Sequence, residues 1–315
     1  MVQEQYLPEG ALLHTEQNLR ARASITALWN AMERRQTLEG RVLLCDAAHN
    51  LVVELGEFTG LIPRSEAALG VDDGSVREIA VISRVGKPVA FKITAIHIDE
   101  DGEVSIALSR RAAQLEALSY FLENLRPGDV IPARVTHLEP FGAFVDIGCG
   151  VISLIGIENV SVSRIAHPRD RFVVGQDIRA AVLFCSPDEG RITLTHRELL
   201  GTWAENAACF EAGQTVRGIV RGIEPYGVFV ELTPNLSGLA ERREDLSEGT
   251  HVSVFIKNIA PDKMKIKLII IDTLENDRAD PVRLRDYFIQ DGHISEWRYS
   301  PEECERKNIR TVFDS

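Results

Sequence analysis

Apolar and polar residues alternate in three separate parts of the chain. The alternating segments are residues 89–98 and 103–108, residues 178–184 and 191–195, and residues 252–259 and 265–268. A period of two between Gly, Pro and Asp turns is typical of short strands with one buried face. Each unit of roughly 70 residues contains about five such strands, enough to close a small barrel without a helical layer. The pattern therefore predicts a mainly β chain built from three similar units.

Two of the three units are copies of one sequence pattern. Residues 128–148 and 213–232 both begin with a glycine-led β-rich run and continue as Glu-Pro-aromatic-Gly-x-Phe-Val-acidic-aliphatic, 85 positions apart. A weaker copy at residues 40–56 keeps the glycine-led β-rich pattern but has His49 and Val52 at the two aromatic positions. Internal repeats of this kind indicate tandem structural units. We therefore predict three tandem five-stranded OB-type barrels, the first of them degenerate.

Between the units the apolar residues recur every three or four positions, which predicts helices. This spacing occurs at residues 111–125 and 198–210, and residues 11–36 form a further predicted amphipathic helix ahead of the first unit. Two more helices are predicted in the acidic tail, at 281–289 and 301–313. The predicted organisation is an N-terminal helical segment (1–37), a degenerate barrel (38–111), a helical linker (112–124), a barrel (125–197), a second helical linker (198–210), a third barrel (211–272) and an acidic C-terminal extension (273–315).

The distribution of charge restricts the kind of ligand. The chain has 47 acidic and 35 basic side chains, a net charge of −12, although residues 210–271 are balanced with 8 of each. Duplex binding depends on clustered Lys and Arg, and no large basic patch is visible, so a nucleic-acid contact must depend on base stacking. Residues 1–10 lack signal-peptide features and no run approaches about 18 apolar residues, so we expect a cytoplasmic protein without membrane contact.

Aromatic residues three positions apart recur at the same place in the second and third units. They are Phe141 and Phe144 in the second unit, and Tyr226 and Phe229 in the third. Strict alternation would put the two rings on opposite faces, but the glycine between them can host a bulge or kink that brings both to one surface. Such a pair is a stacking platform for bases. Each base stacked on an aromatic ring contributes about 1–3 kcal/mol to the free energy of binding. The alternative is that the rings belong to the barrel core.

Basic side chains accompany both aromatic pairs. They are Arg134, His137 and Arg191 in the second unit, and Arg221 and Lys265 in the third. Arg can neutralise a phosphate and stack on a base; the alternative for each is a solvated surface charge. The sequence contains no catalytic constellation, and its five cysteines lack CxxC or metal-ligand spacing. We therefore expect a non-enzymatic protein without a metal or other cofactor.

The units resemble S1 RNA-binding domains, and the chain resembles the ribosomal protein S1 family in its short, clostridial-type form. The resemblance rests on residues 139–145, 224–230 and 190–195 and on the linker at 198–207. It implies an RNA-binding face that retains Phe141, Phe144, Arg191, Tyr226, Phe229 and Lys265. The sequence departs from the family at its usual His, which is replaced by Gly156 and Glu241, and at its usual Asp, which is replaced by Pro187 and Pro261.

Two functions remain open on this reading. In the first, the second and third barrels bind single-stranded RNA such as mRNA by stacking, and the protein acts in translation on the ribosome. The first barrel and the N-terminal helix would then contact proteins of the small ribosomal subunit. In the second, the chain is a protein–protein interaction scaffold or regulator on the ribosome with little RNA affinity, in agreement with its negative charge and its departures from the family pattern.

Overall fold

Three closed five-stranded barrels follow one another along the chain in the computed structural model, which describes residues 6–72, 74–274, 287–305 and 307–314. The first barrel contains β1 (Leu38–Cys45), β2 (Leu51–Leu55), β3 (Phe58–Ile62), β4 (Pro88–Ile98) and β5 (Val104–Ser109). The second contains β6 (Val130–Glu139), β7 (Gly142–Asp146), β8 (Ile152–Gly156), β9 (Asp177–Ser186) and β10 (Arg191–Thr195). The third contains β11 (Thr215–Glu224), β12 (Gly227–Thr233), β13 (Leu236–Ala240), β14 (His251–Ala260) and β15 (Lys265–Thr273).

The same topology closes each barrel. The strands follow the order first, second, third, fifth, fourth around the barrel, and the third and fifth strands are parallel. The first strand of each barrel has a register shift at the same place, between Val135 and His137 in the second barrel. A bulge bends the strand, which allows it to pair with neighbours on both sides. The predicted fold class, mainly β with tandem OB-type barrels, is confirmed.

Helices connect the barrels and precede the first of them. They are α1 (Glu16–Ala21), α2 (Ile25–Glu33), α3 (Glu78–Ile82), α4 (Arg110–Asn124) and α5 (Trp203–Ala207), with a 3-10 turn at Arg197–Leu200. The single helix predicted at 11–36 is two short helices, because Thr15 and Ser24 each accept a hydrogen bond from a backbone N–H and cap a new helix. The short α3, inside the first barrel's sequence, was not predicted.

The C-terminal extension packs on the third barrel. The helix predicted at 301–313 is wrong: β17 (Arg310–Val312) pairs there with β16 (Glu296–Arg298). Most of the helix predicted at 281–289 lies outside the described residues. Trp297 and Tyr299 are buried, and the Tyr299 hydroxyl donates to the Asn235 carbonyl at 2.5 Å. The extension is therefore joined to the third barrel by both packing and hydrogen bonding.

A buried polar cluster joins the N-terminal segment to the first two barrels. The Glu9 carboxylate accepts hydrogen bonds from Arg110 at 2.6 and 2.9 Å and from Arg84 at 3.1 Å, while the Glu9 backbone N–H donates to Asp146 at 2.7 Å. Glu39 accepts hydrogen bonds from the backbone N–H groups of Gly10 and Leu12 at 2.9 and 3.1 Å. Because Asp146 belongs to the second barrel and Glu39 to the first, the cluster fixes one barrel against the other.

Glu39 makes the stability of this junction depend on pH. Its burial raises its pKa to about 7 from 4.5, so its contribution to stability is full below pH 4.5 and is lost as the pH rises through 7. The loss amounts to about 3 kcal/mol. A Glu39→Gln variant keeps an oxygen for both N–H groups and does not titrate. We therefore expect its free energy of unfolding, relative to the parent, to rise by up to about 3 kcal/mol from pH 4 to pH 8.

Urea unfolding of parent and variant across this pH range measures the effect. The difference between the two proteins cancels the titration of other buried groups. Glu54→Gln, an exposed position on the neighbouring strand, is the matched control and should follow the parent at every pH. Parallel curves for parent and Glu39→Gln would mean that Glu39 has the same pKa in the folded and the unfolded protein, which contradicts the prediction.

Candidate nucleic-acid interface

The aromatic pair of the second barrel lies on its outer surface. Phe141, in the turn before β7, is 56% exposed, and its ring lies 5.9 Å from that of Phe144, edge to face at 90°. The rings meet because Phe141 belongs to the turn and Phe144 to the strand. The predicted bulge at Gly142 is absent, since Gly142 pairs in register with Glu139. Glycine is required there by space: a Cβ would lie 2.5 Å from the Ile155 carbonyl oxygen.

His137 extends the platform on the neighbouring strand. It is the cross-strand partner of Phe144, and the two rings lie 6.2 Å apart at 32°. The Nε2 atom of His137 is 2.7 Å from a carboxylate oxygen of Glu139. The structure therefore brings His137 together with the two predicted phenylalanines, but beside an acidic group.

A third phenylalanine, exposed and in the same row of side chains as the half-buried Phe144, was not predicted from the sequence. Starting at Phe144, the paired positions around the barrel are Leu154, Thr193 and Phe184. Phe184 is 51% exposed. Strict alternation in β9 would put Phe184 on the face of the buried Ala180 and Val182, but a register shift between Val182 and Phe184 turns its ring outward. The repeat gives no signal either, because the third barrel has Asn258 at this place.

The third barrel has the same exposed aromatic pair, but different side chains follow it across the neighbouring strands. Tyr226 is 67% exposed, and its ring lies 6.2 Å from that of Phe229 at 90°. From Phe229 the paired positions are Leu239, Lys267 and Asn258. Lys267 is exposed, as is the predicted Lys265 two residues earlier in β15. Small barrels of this topology bind oligonucleotides on their second and third strands and the adjoining loops, where both aromatic pairs lie.

The five predicted cationic side chains fall into different environments. Arg191 and Lys265 are exposed at the start of the last strand of their barrels, and neither forms an ion pair within the described part of the chain. Arg134 instead donates to Asp177 at 2.7 and 3.0 Å and to the Glu9 carbonyl at 2.7 Å. Its hydrogen bonds to Asp177 raise its pKa. The Arg134 guanidinium is thus occupied by protein partners.

Arg221 is occupied in the same way, at the contact between the second and third barrels. Its guanidinium lies 2.9 Å from Glu231 and 3.2 Å from Asp170, and Arg171 of the second barrel lies 2.5 Å from the same Glu231 oxygen. Glu231 and Arg171 are 3% and 4% exposed. This ion network fixes the two aromatic platforms relative to each other.

The positions at which the family's usual His is replaced bring carboxylates near the platforms. At Gly156 an added Cβ would lie 2.5 Å from a Glu158 oxygen, so the Glu158 side chain covers that place. Glu241 is exposed at the equivalent place in the third barrel. Each carboxylate opposes the approach of a phosphate.

The first barrel has an aliphatic face in place of an aromatic one. Its equivalent row pairs Leu44, Val52, Leu61 and Ala107, and the two leucines are exposed. His49 lies in the turn that holds Phe141 in the second barrel, 3.7 Å from Glu78. The described residues of this face provide no stacking surface.

The described residues contain neither a helix that could span a membrane nor a group of side chains that could hold a metal ion. No helix there is long and apolar enough to cross a membrane. No group of three or more His, Cys, Asp or Glu side chains within the same residues is arranged to hold a metal ion.

Comparisons with known proteins agree with the geometry. Residues 124–197 match the S1 RNA binding domain model. Small ribosomal subunit protein bS1 of Staphylococcus aureus is 27% identical over 298 residues, 88% of this chain and 73% of the relative. The bS1 of Rhizobium meliloti is 27% identical over 78% of this chain and 44% of its own length. A solved multidomain protein with nucleic acid binding domains from Streptococcus pneumoniae is 15% identical over 77% of each chain, with a TM-score of 0.25. Residues 124–197 thus match the S1 RNA binding domain, and the chain is similar to bS1 proteins over most of its length.

Proposed function

We propose that this protein binds single-stranded RNA, mRNA in particular, by stacking bases on the second and third barrels. The observation that carries the proposal is the recurrence of Phe141 and Tyr226 at one place in two barrels, 56% and 67% exposed. Each has a second ring within about 6 Å at a right angle. Large aromatic rings exposed twice at equivalent positions are better explained by a ligand than by packing.

Single strands fit these surfaces better than duplexes. Stacking needs bases that are free of a partner, and every base offers a π-face, so sequence preference should be weak. The free cations near the platforms include Arg191, Lys265 and Lys267, too few for salt-driven duplex binding. The carboxylates of Glu139 and Glu158 reduce affinity further.

The proposed setting is the ribosome, in the cytoplasm, and the proposed activity is binding without turnover. Relatives named as small ribosomal subunit protein bS1 support this setting over most of the chain. The aliphatic face of the first barrel, with exposed Leu44 and Leu61, suits contact with protein and not with bases. The same face favours a second candidate function, a protein–protein interaction scaffold with little RNA affinity.

Fluorescence anisotropy with a labelled unstructured RNA of about 12–20 nucleotides tests the proposal. We expect binding whose affinity falls with salt at a slope of at least about 2 in magnitude on a double-logarithmic plot, because roughly three phosphates are neutralised at the platforms. A duplex of the same length is the control and should bind at least about tenfold more weakly. Absence of binding to the single strand at low salt would reject RNA binding and leave the scaffold function.

A further inference from the structure

A groove at the junction of the second barrel, the third barrel and the C-terminal extension opens beside the Tyr226 platform. Its volume is about 600 Å³. The second barrel contributes the loop at residues 162–166, the third barrel contributes Tyr226 and Phe229, and the extension contributes Lys307 and Ile309. We call this the junction groove. Its volume lies in the range of small-molecule sites, roughly 300–1,000 Å³.

The walls of the junction groove are held in place by hydrogen bonds between the three parts. The backbone N–H of Ser163 donates to the Pro234 carbonyl at 3.0 Å, and that of Val162 donates to the Asn235 side chain at 2.9 Å. The Asn235 carbonyl in turn accepts the Tyr299 hydroxyl of the extension. The groove is therefore part of the folded protein and does not depend on a ligand to form.

Two cationic side chains in the lining of the junction groove are available to bind phosphate groups. Arg164 and Lys307 are exposed, and neither forms an ion pair with a described residue. Arg221, also at the groove, is neutralised by Glu231 and Asp170. The carboxylates of Glu224 and Glu248 line the same groove, so its net charge is small. Arg164 and Lys307 are therefore two separate sites of positive charge.

Polar and apolar side chains both line the junction groove, and the apolar ones include Ile165, Met264 and Ile309. Aliphatic side chains, the rings of Tyr226 and Phe229, and two cations without an ion-pair partner among the described residues match the parts of a nucleotide. A base is a flat surface that stacks on rings and packs on aliphatic groups, and its phosphates need positive charge.

We infer that the junction groove is a nucleotide subsite for single-stranded RNA, adjacent to the base stacked on Tyr226, in which Arg164 and Lys307 bind phosphates. This inference rests on the proposed function and deepens it. It makes the C-terminal extension part of the RNA site, since Lys307 and Ile309 belong to it. The RNA strand then passes from the open face of the third barrel into the contact with the second.

Replacing Arg164 and Lys307 together with glutamine tests the inference in the full-length protein. We expect RNA affinity to fall about tenfold and the salt slope to become shallower by about 1.4, the value for two phosphates on a single strand. The matched control is Arg169→Gln with Arg298→Gln, one exposed cation from the same loop region and one from the extension, both outside the groove. The control should keep the parent's affinity and salt slope.

Photo-crosslinking with an RNA containing 4-thiouridine gives a second readout. We expect crosslinks in residues 162–166 and 307–309, mapped by mass spectrometry. If the glutamine variant binds like its control and no crosslink reaches these residues, while an alanine at Tyr226 weakens binding, the groove inference is overturned and the proposed function stands. If the parent binds no unstructured RNA, the proposed function fails and the groove inference fails with it.

Discussion

Replacing Phe141 and Tyr226 together with alanine is expected to weaken binding of unstructured RNA by at least about 30-fold. Stacking of a base on an aromatic ring is worth about 1–3 kcal/mol, and the variant removes one exposed ring from each platform. Both side chains are more than half exposed, so the barrels lose little core packing. Anisotropy titrations at one salt concentration measure the loss. The salt slope should stay near that of the parent, because no phosphate contact is removed.

The matched control for this variant is Trp29→Ala, which removes an exposed aromatic ring from α2, away from both platforms. It should bind RNA like the parent. The single variants separate the platforms: each should lose part of the affinity, since each barrel retains its second ring, Phe144 or Phe229. Unchanged RNA affinity of the double variant, with RNA-independent ribosome association, would favour the interaction scaffold.

The barrels and their order were predictable from the sequence because local signals recur. Period-two alternation, turn residues and the repeat beginning at Glu139 and Glu224 all indicate the same strands. The tail was not predictable in this way. Residues 301–313 were predicted to be helical, yet β17 pairs with β16, whose Trp297 is buried against the third barrel.

The candidate site was predictable in its aromatic residues and less so in its charges. Phe141 and Tyr226 recur at one place, so their exposure could be expected. Arg134 and Arg221 looked equivalent to Arg191, but their partners Asp177 and Asp170 lie 43 and 51 positions away and carry no spacing signal. The Arg134–Asp177 pair joins neighbouring strands of the second barrel, whereas the Arg221–Asp170 pair joins two barrels. Both depend on the folded arrangement, which spacing along the chain does not report.

The fixed contact between the second and third barrels gives the two platforms a single binding geometry. When one RNA binds both platforms, the two barrels have no relative motion to lose. Binding therefore costs less conformational entropy than it would with barrels that move independently. The junction groove lies at the same contact, next to Arg221. The ion network around Glu231 therefore links the stability of the protein to the geometry of its RNA face.

Replacing Glu231 with alanine is expected to lower the free energy of unfolding by about 3–5 kcal/mol. The substitution leaves Arg171 and Arg221 at 4% and 11% exposure without their shared carboxylate, and a buried charge without a partner is strongly destabilising. Burial lowers the pKa of Arg171, because removal from water disfavours the charged guanidinium. Urea unfolding at pH 7 measures the change. Hydrogen exchange in β11 and β12 localises it to the third barrel.

Glu244→Ala, an exposed carboxylate of the same barrel, is the matched control and should leave unfolding unchanged. A second variant, Arg171→Met with Glu231→Met, removes the more deeply buried of the two ion pairs, while Arg221 keeps Asp170 at 3.2 Å. It should recover part of the lost stability, since apolar replacement of a buried pair is often neutral. If the alanine variant is no less stable than its control, the ion network does not hold the barrels together. If the Met pair is as unstable as the alanine variant, the cost is lost packing and not unpaired charge.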